Sequence, residues 1–192
     1  MRGDEIAGAP VVVGVSGSLR RESSNTKLVH EAFRAFGPSR TALGDLRLPL
    51  YDGDLEREDG IPAEVERLAQ AIRDADGVVI ATPEYNKNLS GVLKNALDWL
   101  SRTKPAPLAG KPVAVVSAAA GRSGGALAQY SLRHCLTPLR AKVLPGPEVS
   151  IAGANAAFDE NGRLKDPKSF EFLGSLMDEL RAEIARMSRE AA

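Results

Sequence analysis

Ser18, Arg20, Ser23, Asn25 and Thr26 fall within one short stretch, Ser16 to Thr26, reading SGSLRRESSNT. Hydroxyl donors, a guanidinium and the free backbone N–H groups of a helix start together make a site for a phosphate. Gly17 has no Cβ, so backbone can come close to an anion there. The same residues also fit an ordinary strand-to-helix turn with Asn25 as N-cap, and both readings stand at this point. Two common phosphate loops are excluded. There is no G-x-x-x-x-G-K-[ST], and Gly14 and Gly17 do not make G-x-G-x-x-G, so neither a Walker site nor a dinucleotide Rossmann site is supported. What remains fits a terminal monophosphate held by hydroxyls and one arginine, the group in which a flavin mononucleotide (FMN) ends.

The elements that position this stretch are legible on either side of it. Val11 to Val15 is an apolar, β-branched run that reads as a fully buried strand, and a helical pattern from near Asn25 carries Leu28, Val29, Ala32, Phe33 and Phe36. A weak strand is expected around Thr41 to Leu46, then an extended loop over Leu48 to Asp52. Pro62 opens a helix with Val65, Leu68, Ala69 and Ile72 on one face. Gly77 to Ala81 and Val113 to Ser117 are two more buried strands. Ser90 caps a helix running to Leu100, and another helix ends near Leu136. Lys142 to Leu144 and Val149 to Ile151 are short strand candidates, Asp159 to Gly162 reads as a turn, and a long helix starts at Pro167. Strands alternate with helices, which implies a parallel sheet covered on both faces. In such sheets a ligand sits beyond the carboxyl ends of the strands. Three loops leave those ends: Ser16 to Ser24, Thr82 to Leu89, and Ala118 to Gly125. All are small, polar or glycine-rich.

Composition narrows the partners. Among 192 residues, Lys+Arg and Asp+Glu are both 25, so the formal net charge is zero and nothing advertises nucleic acid or an anionic membrane. Neutrality leaves self-association unopposed. The single cysteine, Cys135, permits no internal disulfide. No apolar run approaches membrane-spanning length and no secretory pattern stands at the start, so a cytoplasmic location is expected. Residues 1–9 read as a disordered leader, residues 10–192 as one domain, and the helix end from Arg186 to Ala192 as frayed.

The chain resembles the NADPH-dependent FMN reductase family, most closely its quinone, chromate and azo reductase members. Three segments carry the resemblance: GSLRRESSN (Gly17 to Asn25), TPEYNKNLSGVLKNALDWL (Thr82 to Leu100) and SAAAGRSGG (Ser117 to Gly125). It implies a flavodoxin-like three-layer α/β sandwich whose five-stranded parallel sheet has the order 2-1-3-4-5. It implies that Ser18, Arg20, Ser23, Asn25 and Thr26 form an FMN-phosphate loop, and that Pro83, Glu84, Tyr85 and Asn86 run along the isoalloxazine ring. Ser117 and Gly121 resemble residues on the other side of the flavin, and Arg122 a position near the nicotinamide nucleotide's entry. Leu127 departs from the pattern, standing where many relatives have arginine.

The implied activity is hydride transfer from NADPH or NADH through flavin N5 to a quinone, flavin, azo or chromate-type acceptor, in a ping-pong scheme, by a homodimer or homotetramer. The loop Thr82 to Leu89 and the helix after it are the expected interface. Two rival readings are a flavodoxin-like electron carrier without its own turnover and an FMN-free regulatory or binding domain. The flavin carries the chemistry, so no catalytic side chain is expected. Glu84 is read as structural and Tyr85 as a wall of the cleft. Trp99 is read as core or interface. His30 and His134 lack metal-ligand spacing, so no metal is expected, and Cys135 is read as a buried or interface thiol.

Overall fold

The apolar run after Pro10 forms β1 (Val11–Ser16), and it pairs in parallel with β2 (Arg40–Gly44) on one side and β3 (Gly77–Thr82) on the other. A computed structural model describes residues 8–190. Of the expected leader only Gly8 and Ala9 are among them, and residues 1–7 lie outside. β3 pairs with β4 (Pro112–Ala118), whose far edge is shared by β5 (Lys142–Val143) and β6 (Val149–Ile151). Every pairing is parallel and the order is β2-β1-β3-β4-β5, as the flavodoxin-like expectation has it. The expected five strands become six because the fifth position is split. Pro145 and Pro147 have no N–H to donate, so the ladder cannot run through that segment.

β3 and β4 are buried along their whole length, as strands covered on both faces must be. In chain order the helices are α1 (Ser24–Phe36), the short α2 (Gly53–Asp59), α3 (Ala63–Asp74), α4 (Gly91–Leu100), α5 (Ala126–Leu136) and α6 (Pro167–Glu190). Leu28, Val29 and Phe36 of α1 join Leu173, Leu176 and Leu180 of α6 over one face of the sheet. Leu68 and Ile72 of α3, Leu93 and Leu97 of α4, and Leu132 and Leu136 of α5 cover the other. Trp99 is fully buried on α4, and its Nε1 donates to the Pro49 carbonyl at 2.8 Å. The expected loop over Leu48 to Asp52 is extended, and α2, which the sequence reading did not include, follows it; Asp52 caps α2 by accepting from the Asp54 N–H at 2.8 Å. The last helix is intact through Glu190 rather than frayed from Arg186, because Arg186 bridges Glu183 and Glu190 on its own face.

One buried carboxylate ties the segment after β6 to α1. Glu31 of α1 has a side chain only 1% exposed and accepts from Arg34 Nε at 2.8 Å and Nη2 at 2.7 Å. It also accepts from Arg163 Nη1 at 3.0 Å and the Leu164 N–H at 3.1 Å. It thereby pins the turn Asp159 to Gly162 against α1, and with it the segment that returns from β6 over the sheet's carboxyl edge.

Burial alone would raise the Glu31 pKa. Hydrogen bonds from Arg34, the Leu164 N–H and Arg163 outweigh burial and hold it below the ordinary value of 4.5. A folded-state pKa below the unfolded one stabilises fully above that ordinary value, and the contribution is lost as the pH falls through the folded value. Glu31→Gln is therefore expected to be about 1–2 kcal/mol less stable at pH 7 and to lose less stability than the parent when the pH is taken below 4.5. Urea unfolding at neutral and acid pH checks this, and an unchanged midpoint at pH 7 counts against the clamp.

Candidate functional site

The loop between β1 and α1 is built from its ends. Gly17 donates its N–H to the Ala81 carbonyl at 2.8 Å, and its carbonyl accepts from Ser90 Oγ at 2.6 Å. A Cβ on Gly17 would stand 3.0 Å from both Pro83 Cδ and Ser90 Oγ. The missing Cβ admits the β3–α4 loop and not, as expected, an anion. At the other end the N-cap of α1 is Ser23, not Asn25: Ser23 has extended backbone and its Oγ accepts from the Thr26 N–H at 3.2 Å. Asn25 lies buried in the first turn. Its Nδ2 donates to the Ala118 carbonyl at 2.9 Å and its Oδ1 accepts from the Ala118 N–H at 3.0 Å. Thr26 Oγ1 donates to Ser16 Oγ at 2.9 Å.

The loop after β3 holds a two-residue hairpin. Tyr85 and Asn88 exchange both backbone hydrogen bonds at 3.0 Å. Asn86 and Lys87 take φ of 50° and 63°, the left-handed pair that such a hairpin needs. Asn86 is thus lifted onto an exposed tip, and Tyr85 stands 52% exposed on the rim. Glu84 turns inward. Its Oε2 accepts from the N–H groups of Leu127 at 3.1 Å and Ala128 at 3.3 Å. α5 begins after Gly125, which has no side chain to cap it, so Glu84 caps the helix from a different loop. This is the structural role read from the sequence.

Below the glycine-rich loop, Ser117 is fully buried. Its Oγ donates to the Gly124 carbonyl at 2.7 Å and accepts from Gln129 Nε2 at 2.8 Å. Gly125 takes φ of 96°, and a Cβ there would stand 2.8 Å from Ser117 Cβ. Ser117 thus supports the loop from beneath.

The three loops enclose a cavity of about 140 Å³ at the carboxyl edge of the sheet. Of the residues expected at the site, it is lined by Ser18, Arg20, Ser23, Asn25, Pro83, Glu84 and Tyr85. Thr26, Asn86, Ser117 and Gly121 do not line it; Thr26 faces a neighbouring cavity and Ser117 lies under the floor. Ala154 and Asn155, from the segment after β6, complete the wall and were missed. The strand candidate Val149 to Ile151 was the signal for them, since its carboxyl end points to the same edge. Ser24 Oγ ties that segment in by donating to the Ala154 carbonyl at 3.2 Å.

The donor set suits an anion. The first N–H groups of a helix have no intrahelical acceptor, and Ser23 Oγ takes only that of Thr26, which leaves those of Ser24 and Asn25. The Ser23 hydroxyl and the Arg20 guanidinium border the same space. Glu22 of the loop is engaged with Lys27, and Asp45 of the neighbouring cavity with Arg47, each at 3.2 Å. Glu84 also lines the cavity, with its carboxylate turned to the positive end of α5. Among the described residues no His, Cys, Asp or Glu cluster could hold a metal ion.

With this geometry in place, comparison with known proteins places the chain. The family model described as NADPH-dependent FMN reductase matches residues 10–156. An NAD(P)H-dependent FMN reductase of Pseudomonas aeruginosa is 44% identical over 178 residues, covering 92% of this chain and 96% of that protein. A quinone reductase of Escherichia coli is 48% identical over 141 residues, covering 71% and 74%. Among solved structures, the flavoenzyme NAD(P)H:(acceptor) oxidoreductase FerB of Paracoccus denitrificans superposes with a TM-score of 0.82 at 33% identity, covering 92% of this chain and 98% of that one.

The cap supplied by Glu84 has a measurable consequence. Glu84→Ala is expected to lower stability by about 1 kcal/mol, the ordinary cost of losing a helix N-cap. Glu84→Gln keeps an accepting oxygen and is expected to lose less. Thermal melts of the two variants check the order, and equal melting temperatures for parent and Glu84→Ala would remove the capping role.

Proposed function

The chain belongs to the NADPH-dependent FMN reductase family, and from that premise we propose that it is an FMN-dependent enzyme that takes a hydride from NAD(P)H and passes it to a quinone. The observation that carries the reading is the anion-suited cavity at the N-terminus of α1, where the three carboxyl-edge loops meet. Bound FMN would supply the hydride-accepting ring. The chain's residues bind and orient it. Ser18, Ser23, Arg20 and the free N–H groups of Ser24 and Asn25 hold the phosphate. Asn25 keeps one amide hydrogen beyond its two bonds to Ala118, and Thr26 and Ser117 act from behind the cavity wall. Pro83, Glu84, Tyr85 and Asn86 border the ring, with Gly121 on its other side. No side chain serves as acid or base, because the Glu84 carboxylate is engaged on α5.

The reading extends to the scheme and the assembly. Tyr85 stands exposed beside the cavity, and a flavin with one open ring face would have donor and acceptor alternate over it. Free flavin, azo compounds and chromate are further candidate acceptors. The domain over residues 10–192 works as a homodimer or homotetramer, supported by zero net charge and by the groove of about 670 Å³ between α4 and α5 that Leu97, Cys135 and Leu139 help line. No helix among the described residues is long and apolar enough to cross a membrane, and a reducing cytoplasm suits the unpaired Cys135.

Anaerobic addition of NADPH to the FMN-loaded protein is expected to bleach the flavin absorbance, and a quinone to restore it. Parallel double-reciprocal lines would mark the alternating scheme. A flavin that NAD(P)H leaves oxidised would return the chain to the electron-carrier reading, and a chain that takes up no FMN to the binding-domain one. The phosphate loop has its own test. Arg20→Ala removes a charge-assisted hydrogen bond that contributes about 1.5–3 kcal/mol, so FMN affinity is expected to fall about 10- to 100-fold. Riboflavin affinity is expected to change little, and Arg21→Ala to leave both as they are. Fluorescence titration of the apo-protein decides it: unchanged FMN affinity in Arg20→Ala would overturn the phosphate assignment.

A further inference from the structure

A second cavity of about 270 Å³ lies on the other side of the β1–α1 loop, where the carboxyl ends of β1 and β2 meet. It shares Ser18 and Arg20 with the cofactor cavity, so the two are separated only by that loop. Arg20, Arg21 and Arg47 all border it, against a single carboxylate, Asp45. Asp45 pairs with Arg47 at 3.2 Å, with the two side chains 67% and 66% exposed. Exposed pairs of that kind are weak and readily exchanged. With Arg20 assigned to the cofactor phosphate, Arg21 and Arg47 remain for a second anion. The half-exposed Leu43 gives the cavity an apolar wall as well.

We propose that this cavity takes the 2′-phosphorylated ribose end of NADPH, with Arg47 and Arg21 on the phosphate and Asp45 opposing it. The proposal rests on the reading that NAD(P)H is the hydride donor. Of the reactants in that reading, a quinone carries no charge and the nucleotide carries the phosphates. Ordinary ligand pockets run to about 300–1,000 Å³, so this one takes an end of a dinucleotide rather than the whole. In dinucleotide-binding Rossmann folds, whose glycine fingerprint this chain lacks, an acidic residue about 20 residues past the first turn takes a ribose 2′-hydroxyl and an arginine nearby accommodates a 2′-phosphate; the same pair of residue types stands here. Asp45 directly follows β2, and Arg47 is two residues on. Asp45 Oδ1 also accepts from the Arg47 N–H at 3.0 Å, so the carboxylate shapes the turn that presents the guanidinium. Asn in its place would keep an accepting oxygen for that turn while removing the negative charge.

Calorimetric titration of the FMN-loaded protein with adenosine 2′,5′-bisphosphate, 5′-AMP and inorganic phosphate tests this. The bisphosphate is expected to bind at least about ten-fold more tightly than 5′-AMP, one charge-assisted hydrogen bond being of that order. Arg47→Ala is expected to remove most of that advantage and Asp45→Asn to widen it, two opposite effects that loss of fold cannot mimic. In steady state the NADPH-to-NADH ratio of kcat/KM should fall in Arg47→Ala and rise in Asp45→Asn. Equal affinity for bisphosphate and 5′-AMP, inorganic phosphate competing as well as the bisphosphate, or a ratio that neither substitution moves would each overturn the assignment. If the bisphosphate binds as stated while neither nucleotide reduces the flavin, the hydride-donor reading fails and the cavity assignment stands.

Discussion

The amide of Asn25 closes both backbone groups of Ala118, and the geometry of the carboxyl edge depends on that pair of bonds. α1 begins at the end of β1, and β3 lies between β1 and β4 in the sheet. The amide therefore reaches past a strand to hold the start of the helix against the end of β4. Only a side chain with a donor and an acceptor can satisfy a backbone N–H and C=O at once. Aspartate would leave the Ala118 carbonyl unpaired in a buried site, at about 1–3 kcal/mol. The clamp fixes the distance between two of the three loops, so the space between them is set by the fold before any ligand arrives.

The third loop is fixed by the same kind of device. Gly17 and Ser90 hold it to β1, with the Ser90 hydroxyl both donating to Gly17 and capping α4. Glu84 holds it to the N-terminus of α5. Three helices start at this edge. α5 is neutralised by a carboxylate of the protein, and α4 is capped by the buried Ser90; α1 is capped by a neutral serine that leaves part of its dipole and two N–H groups available beside the cavity. An anion is favoured at α1 because α5 already has its own.

Much of this was legible in the sequence. The runs Gly77 to Ala81 and Val113 to Ser117 announced buried parallel strands, and the convergence of their loops announced the cavity at their carboxyl edge. What escaped was set by contacts across long separations. Ser23 and Asn25 are both good N-caps locally, and the choice falls to Ser23 because Asn25 is claimed by Ala118, 93 residues away. Gly17 reads as an anion-facing glycine until Pro83 and Ser90 are folded onto it. Ala154 and Asn155 carry no chemical signature of their own. They reach the cavity because Ser24 holds the Ala154 carbonyl and the Glu31 clamp fixes the turn that follows, neither of which is visible as a pattern in the chain.

Neutrality of the whole chain also conceals how charge is distributed. Equal numbers of acids and bases suggest no preference for an anion, yet Arg20, Arg21 and Arg47 gather along one edge. The acids near them are turned to other duties: Glu22 to Lys27, Glu84 to a helix end, Asp45 to its own turn. Many of the remaining charges cancel locally along helices, as Lys94 with Asp98 and Arg186 with Glu183 do. Within a Debye length of about 8–10 Å an approaching ligand meets the local set of charges, not the total. A neutral protein can therefore carry a locally cationic edge, as Arg20, Arg21 and Arg47 make here, without the excess positive charge that would draw nucleic acid to the rest of its surface.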